Sequence, residues 1–284
     1  NKGLAGDAAV GRMMKSGVEG HPEAGLELQN RGLAYGDGVF ETGGVRHGRP
    51  RLRGEHMARL AVGCQRLFIP VDVALVDDEL QRFASQLGEG VAKLILTRGD
   101  SQRGYAAVAD APARRILPAS PLPAYPQSYG AQGARLFLCK TRLGEQPLLA
   151  GLKHLNRLEQ VLARAEWQGS EHAEGLMCDG HDRIIEGVYS NLFLVRDGTL
   201  LTADLQRCGV AGVMRAALLQ QAPLLGIPSH VRDLPYPELE QADEVFVCNS
   251  VYGIWPVRSA GELNWSPGPL TRKLQAVART LLET

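Results

Sequence analysis

Lys153 lies in the run Gly-Leu-Lys-His-Leu-Asn-Arg-Leu-Glu-Gln (151–160), where an amphipathic helix is expected to begin. From Leu155 onward, apolar Leu158, Leu162 and Ala165 predict one buried helix face, with Arg157, Glu159 and Arg164 on the other sides. A lysine aimed from such an entrance into a poorly hydrated cleft loses basicity. It then becomes a nucleophile that can form a Schiff base with an aldehyde. Glu186 is its chemical complement. It falls between Ile185 and Gly187 at the end of an expected buried strand, where an unpaired carboxylate is costly and a cationic ring nitrogen would satisfy it. The competing reading is an edge-strand glutamate in water. A third feature is Cys-Gly-Val-Ala-Gly-Val-Met-Arg (208–215), just before a helix expected to run to about Leu225. Gly212, Val213 and Met214 would bring backbone N–H groups and the positive end of a helix dipole to an anion such as a phosphate. A packing role for these glycines stays open.

Other polar groups stand where they would complete such a site. Asn249 and Ser250 end an apolar strand expected over 244–248 and would add donors to the anion cradle. Arg59 sits on a helix over 55–67 beside the apolar face of Met57, Leu60 and Cys64, and reads either as a cradle residue or as a solvated arginine. The loop after the strand 91–97 carries Arg98, Arg103 and Tyr105. It is either a flexible connection or a place to meet a carboxylated ligand.

These groups must be positioned by an alternation of helices and strands. The segment 39–45 reads as a strand, turning at His47-Gly48 into Arg51-Leu52 to form a hairpin. Helices are expected over 55–67 and 77–87, and strands over 91–97 and 114–117. Pro118, Pro121, Pro123 and Pro126 then stop regular structure, which places a linker at 121–128 between a small domain (1–120) and a larger one (129–284). The second half has expected strands at 134–139, 174–178, 183–186, 192–196, 229–232 and 244–248, a helical turn at 238–242 and a last helix at 270–282. The first 25 residues, with Met13, Met14 and Lys15, show no clean period.

Composition narrows the class of partner. With 31 basic and 31 acidic residues among 284, and no block of like charge, nothing favours nucleic acid or an anionic membrane. Cys64, Cys139, Cys178, Cys208 and Cys248 are widely spaced, without a C-x-x-C pair or a histidine at zinc spacing, so they read as reduced core thiols and no metal site is expected. No apolar run of about 20 residues spans a membrane and no secretory signal pattern is visible, so a soluble cytoplasmic protein acting on a small molecule is expected.

Taken together, Tyr-Gly-Asp-Gly (35–38), His-Met-Ala-Arg-Leu (56–60), the Lys153 run, Ile-Glu-Gly-Val-Tyr-Ser-Asn-Leu-Phe (185–193), Gly-Val-Met-Arg (212–215) and Ala-Asp-Glu-Val-Phe-Val-Cys-Asn-Ser (242–250) resemble the fold-type-IV pyridoxal phosphate enzymes. That group holds the branched-chain and D-amino-acid aminotransferases. The Lys153 run and the Arg-Gly-Tyr loop are most similar to its aminodeoxychorismate lyase branch, which forms 4-aminobenzoate for folate synthesis. The resemblance implies a two-domain α/β homodimer with the cofactor in the interdomain cleft and partner-chain residues near it. It implies Lys153 as the cofactor-bearing lysine and Glu186 on the pyridine nitrogen. Arg59, the Val213 and Met214 backbone and Asn249–Ser250 are implied on the phosphate, and Thr42, Arg103 and Tyr105 on the substrate side. An aminotransferase remains the alternative activity, and a scaffold that kept the fold without the cofactor the non-enzymatic one. Two departures stand out. Residues 1–25 do not clearly supply the group's first strand with its Asn-Gly or Asp-Gly turn, and Gly43-Gly44 replaces bulkier residues, which would loosen a wall of the substrate pocket.

Overall fold

Glu19 and Gly20 both take positive φ, 52° and 78°, the backbone of a two-residue turn whose twist suits a hairpin. The turn follows β1 (Ser16–Val18) and returns Val18 to pair with His21. The first strand, not clearly legible in the sequence, is present as β1, and Glu-Gly makes the turn that follows it. The computed structural model describes residues 16–21, 25–108 and 111–283, so the aperiodic stretch at Met13–Lys15 lies outside the described residues.

Asn30 caps α1 (Arg31–Tyr35) by accepting from the Gly32 N–H, and Gly36 ends it in the left-handed region. One short helix thus leads into the first long strand. β2 (Gly38–Arg46), β3 (Arg49–Pro50), α2 (Arg53–Arg66), α3 (Val73–Leu87), β4 (Gly90–Thr97) and β5 (Arg114–Ser120) follow, and the strands assemble in the order β1-β5-β4-β2-β3. Strand alternation sends Val39 and Val45 of β2 to the face covered by α2 and α3, where they meet Met57, Leu60 and Leu80. Phe40 and Thr42 point the other way. β5 was expected to stop before Pro118 but runs through it to Ser120. Its ladder with β4 pairs Ala119 and then Ile116, skipping the proline that has no N–H to give.

After an irregular stretch over 121–126, the chain forms α4 (Gln127–Gln132), β6 (Ala134–Leu143), α5 (Leu158–Ala165), β7 (Glu174–Asp179), β8 (Ile184–Gly187), β9 (Asn191–Arg196) and β10 (Thr199–Ala203). α6 (Val213–Leu224), β11 (Ser229–Arg232), a 3-10 turn at Tyr236–Leu239, β12 (Glu244–Asn249), β13 (Gly253–Ala260), β14 (Leu263–Asn264) and α7 (Pro269–Glu283) complete it. The strand order is β11-β10-β9-β12-β13-β6-β7-β8, with β14 on β13 and a further pairing of β8 with β9. That pairing, Glu186 against Asn191, closes six of the strands into a ring. Leu136, Leu176, Met177, Ile184 and Leu192 belong to the apolar cluster of this ring. α6 and α7 cover one outer side, over Phe193 and Phe246 stacked at 5.0 Å.

The helix after Lys153 departs most from expectation. It begins at Leu158 rather than at the lysine. The preceding segment is drawn alongside β2, with the Phe40 N–H donating to the Lys153 carbonyl (2.9 Å) and the Leu155 N–H to the Gly38 carbonyl (3.0 Å). Groups committed to that pairing cannot join a helix. The expected buried face is also wrong: Leu158, Val161 and Leu162 are 74%, 61% and 61% exposed, and Ala163 is the residue buried.

Candidate active site

A cavity of about 480 Å³ is lined by the outward face of β2, by the Lys153 segment, by the end of β8 and by the N-terminus of α6. Because the Lys153 segment is pinned to β2, the Nζ comes to lie 4.3 Å from the centre of the Phe40 ring. Burial and then the Arg59 charge lower the Lys153 pKa. Glu41 opposes them, Arg157 reinforces them and Glu186 offsets part, leaving the amine at about 8. The amine is then deprotonated more readily near neutral pH than a solvated lysine.

Glu186 is 3% exposed and reaches the same cavity. Its Oε2 accepts from the Val210 N–H (2.8 Å) and from Asn191 Nδ2 (3.4 Å). Among the described residues no cation lies within ion-pairing distance of it. Burial therefore dominates, against the Val210 N–H and the charges of Arg157, Lys153 and Arg215, and raises its pKa to about 7. The strand end that carries it is held from behind by Glu174. This fully buried carboxyl accepts from Ser190 Oγ (2.7 Å) and from the N–H groups of Val188 (3.0 Å) and Tyr189 (3.3 Å). Burial outweighs those donors and holds Glu174 at about 7 as well.

No side chain caps the N-terminus of α6, so its first N–H groups are left for a ligand or water. A Cβ at Gly212 would stand 2.0 Å from Asn191 Oδ1 and would have to displace that side chain from its bond to the Val210 carbonyl. Arg59 is not a solvated helix arginine. Its Nε donates to Glu41 Oε1 (2.8 Å), its Nη2 to Glu41 Oε2, and its Nη1 to the carbonyl of Ala211 (3.0 Å), the residue before Gly212. His56 Nδ1 stands 2.6 Å from Glu41 Oε2. Burial would raise the Glu41 pKa, but Arg59 and then His56 overcome it and hold the carboxyl at about 2. An ionised Glu41 only accepts, so Nδ1 carries the proton.

Asn249 and Ser250 also line the cavity, with much of their hydrogen-bonding capacity used. Asn249 Oδ1 accepts from the N–H groups of Val251 (2.9 Å) and Tyr252 (3.0 Å), and Ser250 Oγ donates to the Thr42 carbonyl (3.0 Å), strapping the two sheets together. Thr42 is on the wall as expected. Arg103 and Tyr105 are not. Their loop is held away by Arg31, which donates to the carbonyls of Gly104, Tyr105 and Ala106, and the Tyr105 ring is 86% exposed beside Tyr35. Gly43 and Gly44 do not loosen the pocket either. Neither lines it, and a Cβ at Gly43 would press on His56 Nε2 at 3.2 Å.

Sequence reasoning missed Glu41, His56, Glu174 and Arg157. Glu41 had a readable signal: it shares the phase of Val39 and Val45, so it was a carboxylate on a core face that needed a cation.

Residues 38–260 match the model of the amino-transferase class IV family. The chain belongs to this family. An aminodeoxychorismate lyase of Vibrio harveyi is 36% identical over 270 residues, which cover 93% of this chain and 99% of that protein. The crystal structure of 4-amino-4-deoxychorismate lyase from Pseudomonas aeruginosa is 60% identical, with a TM-score of 0.92 over 95% of this chain and 100% of that one. The branched-chain amino acid aminotransferase of Escherichia coli superposes with a TM-score of 0.80 at 26% identity, over 95% and 94% of the two chains. Class IV aminotransferases work with pyridoxal phosphate, and the cavity fits that group. It offers an amine near its point of deprotonation, a buried carboxylate without a cation, and an uncapped helix N-terminus. These match an aldehyde, a pyridinium and a phosphate.

Proposed function

We propose that this chain is a 4-amino-4-deoxychorismate lyase, eliminating pyruvate to leave 4-aminobenzoate for folate synthesis. The observation that carries the reading is the convergence of Lys153, Glu186 and the α6 N-terminus on one cavity, in a chain 60% identical to a solved lyase. Lys153 Nζ would hold pyridoxal phosphate covalently and Glu186 would hold the proton of its ring nitrogen. Arg59, with the backbone of Gly212, Val213 and Met214 and the Asn249–Ser250 turn, would take the phosphate.

When bound, pyridoxal phosphate supplies an electron sink for the carbon that loses its proton. Lys153, freed by the substrate amine and poised near 8, takes that proton from the amine-bearing ring carbon. Glu186 keeps the ring nitrogen cationic, an effect on the order of one to three pKa units. Cleavage of the ether bond sends its electron pair out with the enolpyruvyl oxygen. The leaving group takes up the proton that Lys153 removed and becomes pyruvate, and the ring becomes aromatic. Aromatisation makes the step downhill, so the protein has only to orient the substrate and move one proton. Phe40 lines the cavity with its ring against Nζ and limits water there. Thr42 is the substrate-side residue within the same chain.

The active form is a homodimer. Its support is the exposed apolar side of α5 and the outward loop bearing Arg103 and Tyr105, which would serve the partner's cavity rather than its own. The small domain ends near residue 120, the linker spans 121–128 and the larger domain follows. Five buried free thiols fit the cytoplasm. No helix among the described residues is long and apolar enough to cross a membrane.

The test is incubation of cofactor-saturated protein with aminodeoxychorismate and no keto acid. Equal amounts of pyruvate and 4-aminobenzoate are expected. Their absence overturns the reading, and amino transfer to 2-oxoglutarate from a D- or branched-chain amino acid in their place assigns the chain to the aminotransferase side of the family.

A further inference from the structure

Arg157 is the one cation on the cavity wall that the roles above leave unused. It stands at the start of α5 with Gln160 on the same wall. Its Nε is buried and has no hydrogen-bond partner, and Gln160 Oε1 is likewise buried and unpartnered. Nη2 lies against Nε2 of His154, which burial and then the Arg157 charge hold at about 4, so the imidazole is neutral near pH 7 and offers no countercharge. Among the described residues, no carboxylate is within ion-pairing distance of this guanidinium. A largely buried arginine that keeps an N–H without an acceptor is costly unless a ligand supplies one.

The position of Arg157 limits what that ligand is. It acts electrostatically on both Lys153 and Glu186, and on Glu186 more strongly than the lysine does. In pyridoxal phosphate the aldehyde carbon and the ring nitrogen are para to one another, while the phosphate arm and the ring hydroxyl flank the aldehyde on opposite sides. Lys153 and Glu186 mark the two ends of the ring, and Arg59 with α6 marks the phosphate side. The side left over carries the hydroxyl, and Arg157 is the unspent donor beside both ends of the ring.

We propose that Arg157 is a cofactor-binding residue that donates to the ring hydroxyl oxygen of pyridoxal phosphate and holds it as the phenolate. This rests on the reading that the cofactor occupies the cavity. A cation at that oxygen favours loss of the proton from the nitrogen joining Lys153 to the cofactor, because it destabilises the neighbouring positive charge. Lysine in place of Arg157 keeps the charge but not the planar donor fork.

The experiment compares unsubstituted protein, Arg157→Met and Arg157→Lys for uptake of pyridoxal phosphate and of 3-deoxypyridoxal phosphate, which lacks the hydroxyl. Arg157→Met is expected to weaken pyridoxal phosphate roughly 10- to 100-fold, the range for a lost hydrogen bond to a charged group. The deoxy analogue should change less than about threefold, because the contact is absent in both proteins. A pH titration of the visible band of the lysine–cofactor adduct should move up by about one unit in Arg157→Met, and by less in Arg157→Lys. Equal losses for both compounds, or an unmoved titration, overturn the inference while leaving the cofactor reading intact. Unsubstituted protein that takes up neither compound overturns both. If Arg157→Met does not fold, the unsubstituted protein decides alone: the hydroxyl-bearing compound must bind at least about tenfold tighter.

Discussion

Lys153 and Phe40 are joined twice: the Phe40 N–H donates to the Lys153 carbonyl at 2.9 Å, and the Phe40 ring lies 4.3 Å from Nζ. One residue of β2 therefore fixes the lysine backbone and shields its amine. Phe40→Ala keeps the backbone bond and removes the shield. Because burial is the largest cause of the depressed lysine pKa, water admitted by the truncation outweighs the lost ring contact. The midpoint of cofactor-adduct formation against pH is expected to rise from about 8 by about one unit. An unchanged midpoint would remove Phe40 from the explanation.

Borohydride reduction of the cofactor-loaded protein should fix the label on the peptide containing Lys153. Lys153→Ala should abolish the visible adduct and lower turnover by at least about 10²- to 10⁴-fold, the range for a lost general acid–base group. Mass spectrometry that places the label on Lys93, Lys140 or Lys273 would displace the assignment.

Glu186 makes the cofactor-free protein sensitive to pH. Its folded pKa is raised from 4.5 to about 7, so the folded state binds the extra proton. The associated stability is fully present below about pH 4.5 and is lost as pH rises through about 7, amounting to about 3 kcal/mol. Glu174 titrates in the same window and remains in Glu186→Gln. The difference between the two proteins in urea denaturation at about pH 5 and about pH 8 therefore reads Glu186 alone. The variant should lose less stability across that interval, and its turnover should fall because a neutral amide no longer favours the pyridinium.

Glu41 has the opposite sign. Burial opposes ionisation, but Arg59 and His56 hold its folded pKa at about 2, so its contribution is present above about pH 4.5 and lost as pH falls through about 2. Glu41→Ala leaves Arg59 without its countercharge and should cost about 3–5 kcal/mol at neutral pH. It should also weaken cofactor uptake, because Arg59 is no longer held between β2 and Ala211. Denaturation and fluorescence titration of the apoprotein check the two effects separately.

Leu158, Val161 and Leu162 form an apolar side of α5 that the described residues leave exposed. Val161→Glu combined with Leu162→Lys should shift the protein from dimer to monomer in analytical ultracentrifugation while leaving Ala163 and the helix contacts behind it intact. A monomeric unsubstituted protein would contradict the proposed assembly.

The chemistry was more legible in the sequence than the surfaces. Lys153, Glu186 and the glycine turn at 209–212 stood out because each puts a charge or a bare backbone where apolar packing would otherwise be expected. The helical period after Lys153 was legible, but the apolar side it predicted as buried is exposed. A repeat reports that a face is apolar and not which chain covers it. β13 went unread because Gly253 and Pro256 punctuate a strand that pairing on both sides holds together. Arg103 and Tyr105 were joined to the cavity by adjacency to β4, whereas Arg31, some 70 residues earlier, turns their loop away.

The β8–β9 rung has a bearing on heat inactivation. The strand ring is fastened at this seam by the pair Glu186 and Asn191, one of which is the acid itself. A clasp made of one rung opens at lower cost than the body it closes. If the seam opens first, the carboxylate leaves the cavity while the other strand pairs hold, so turnover is expected to be lost at a lower temperature than the far-ultraviolet dichroism signal.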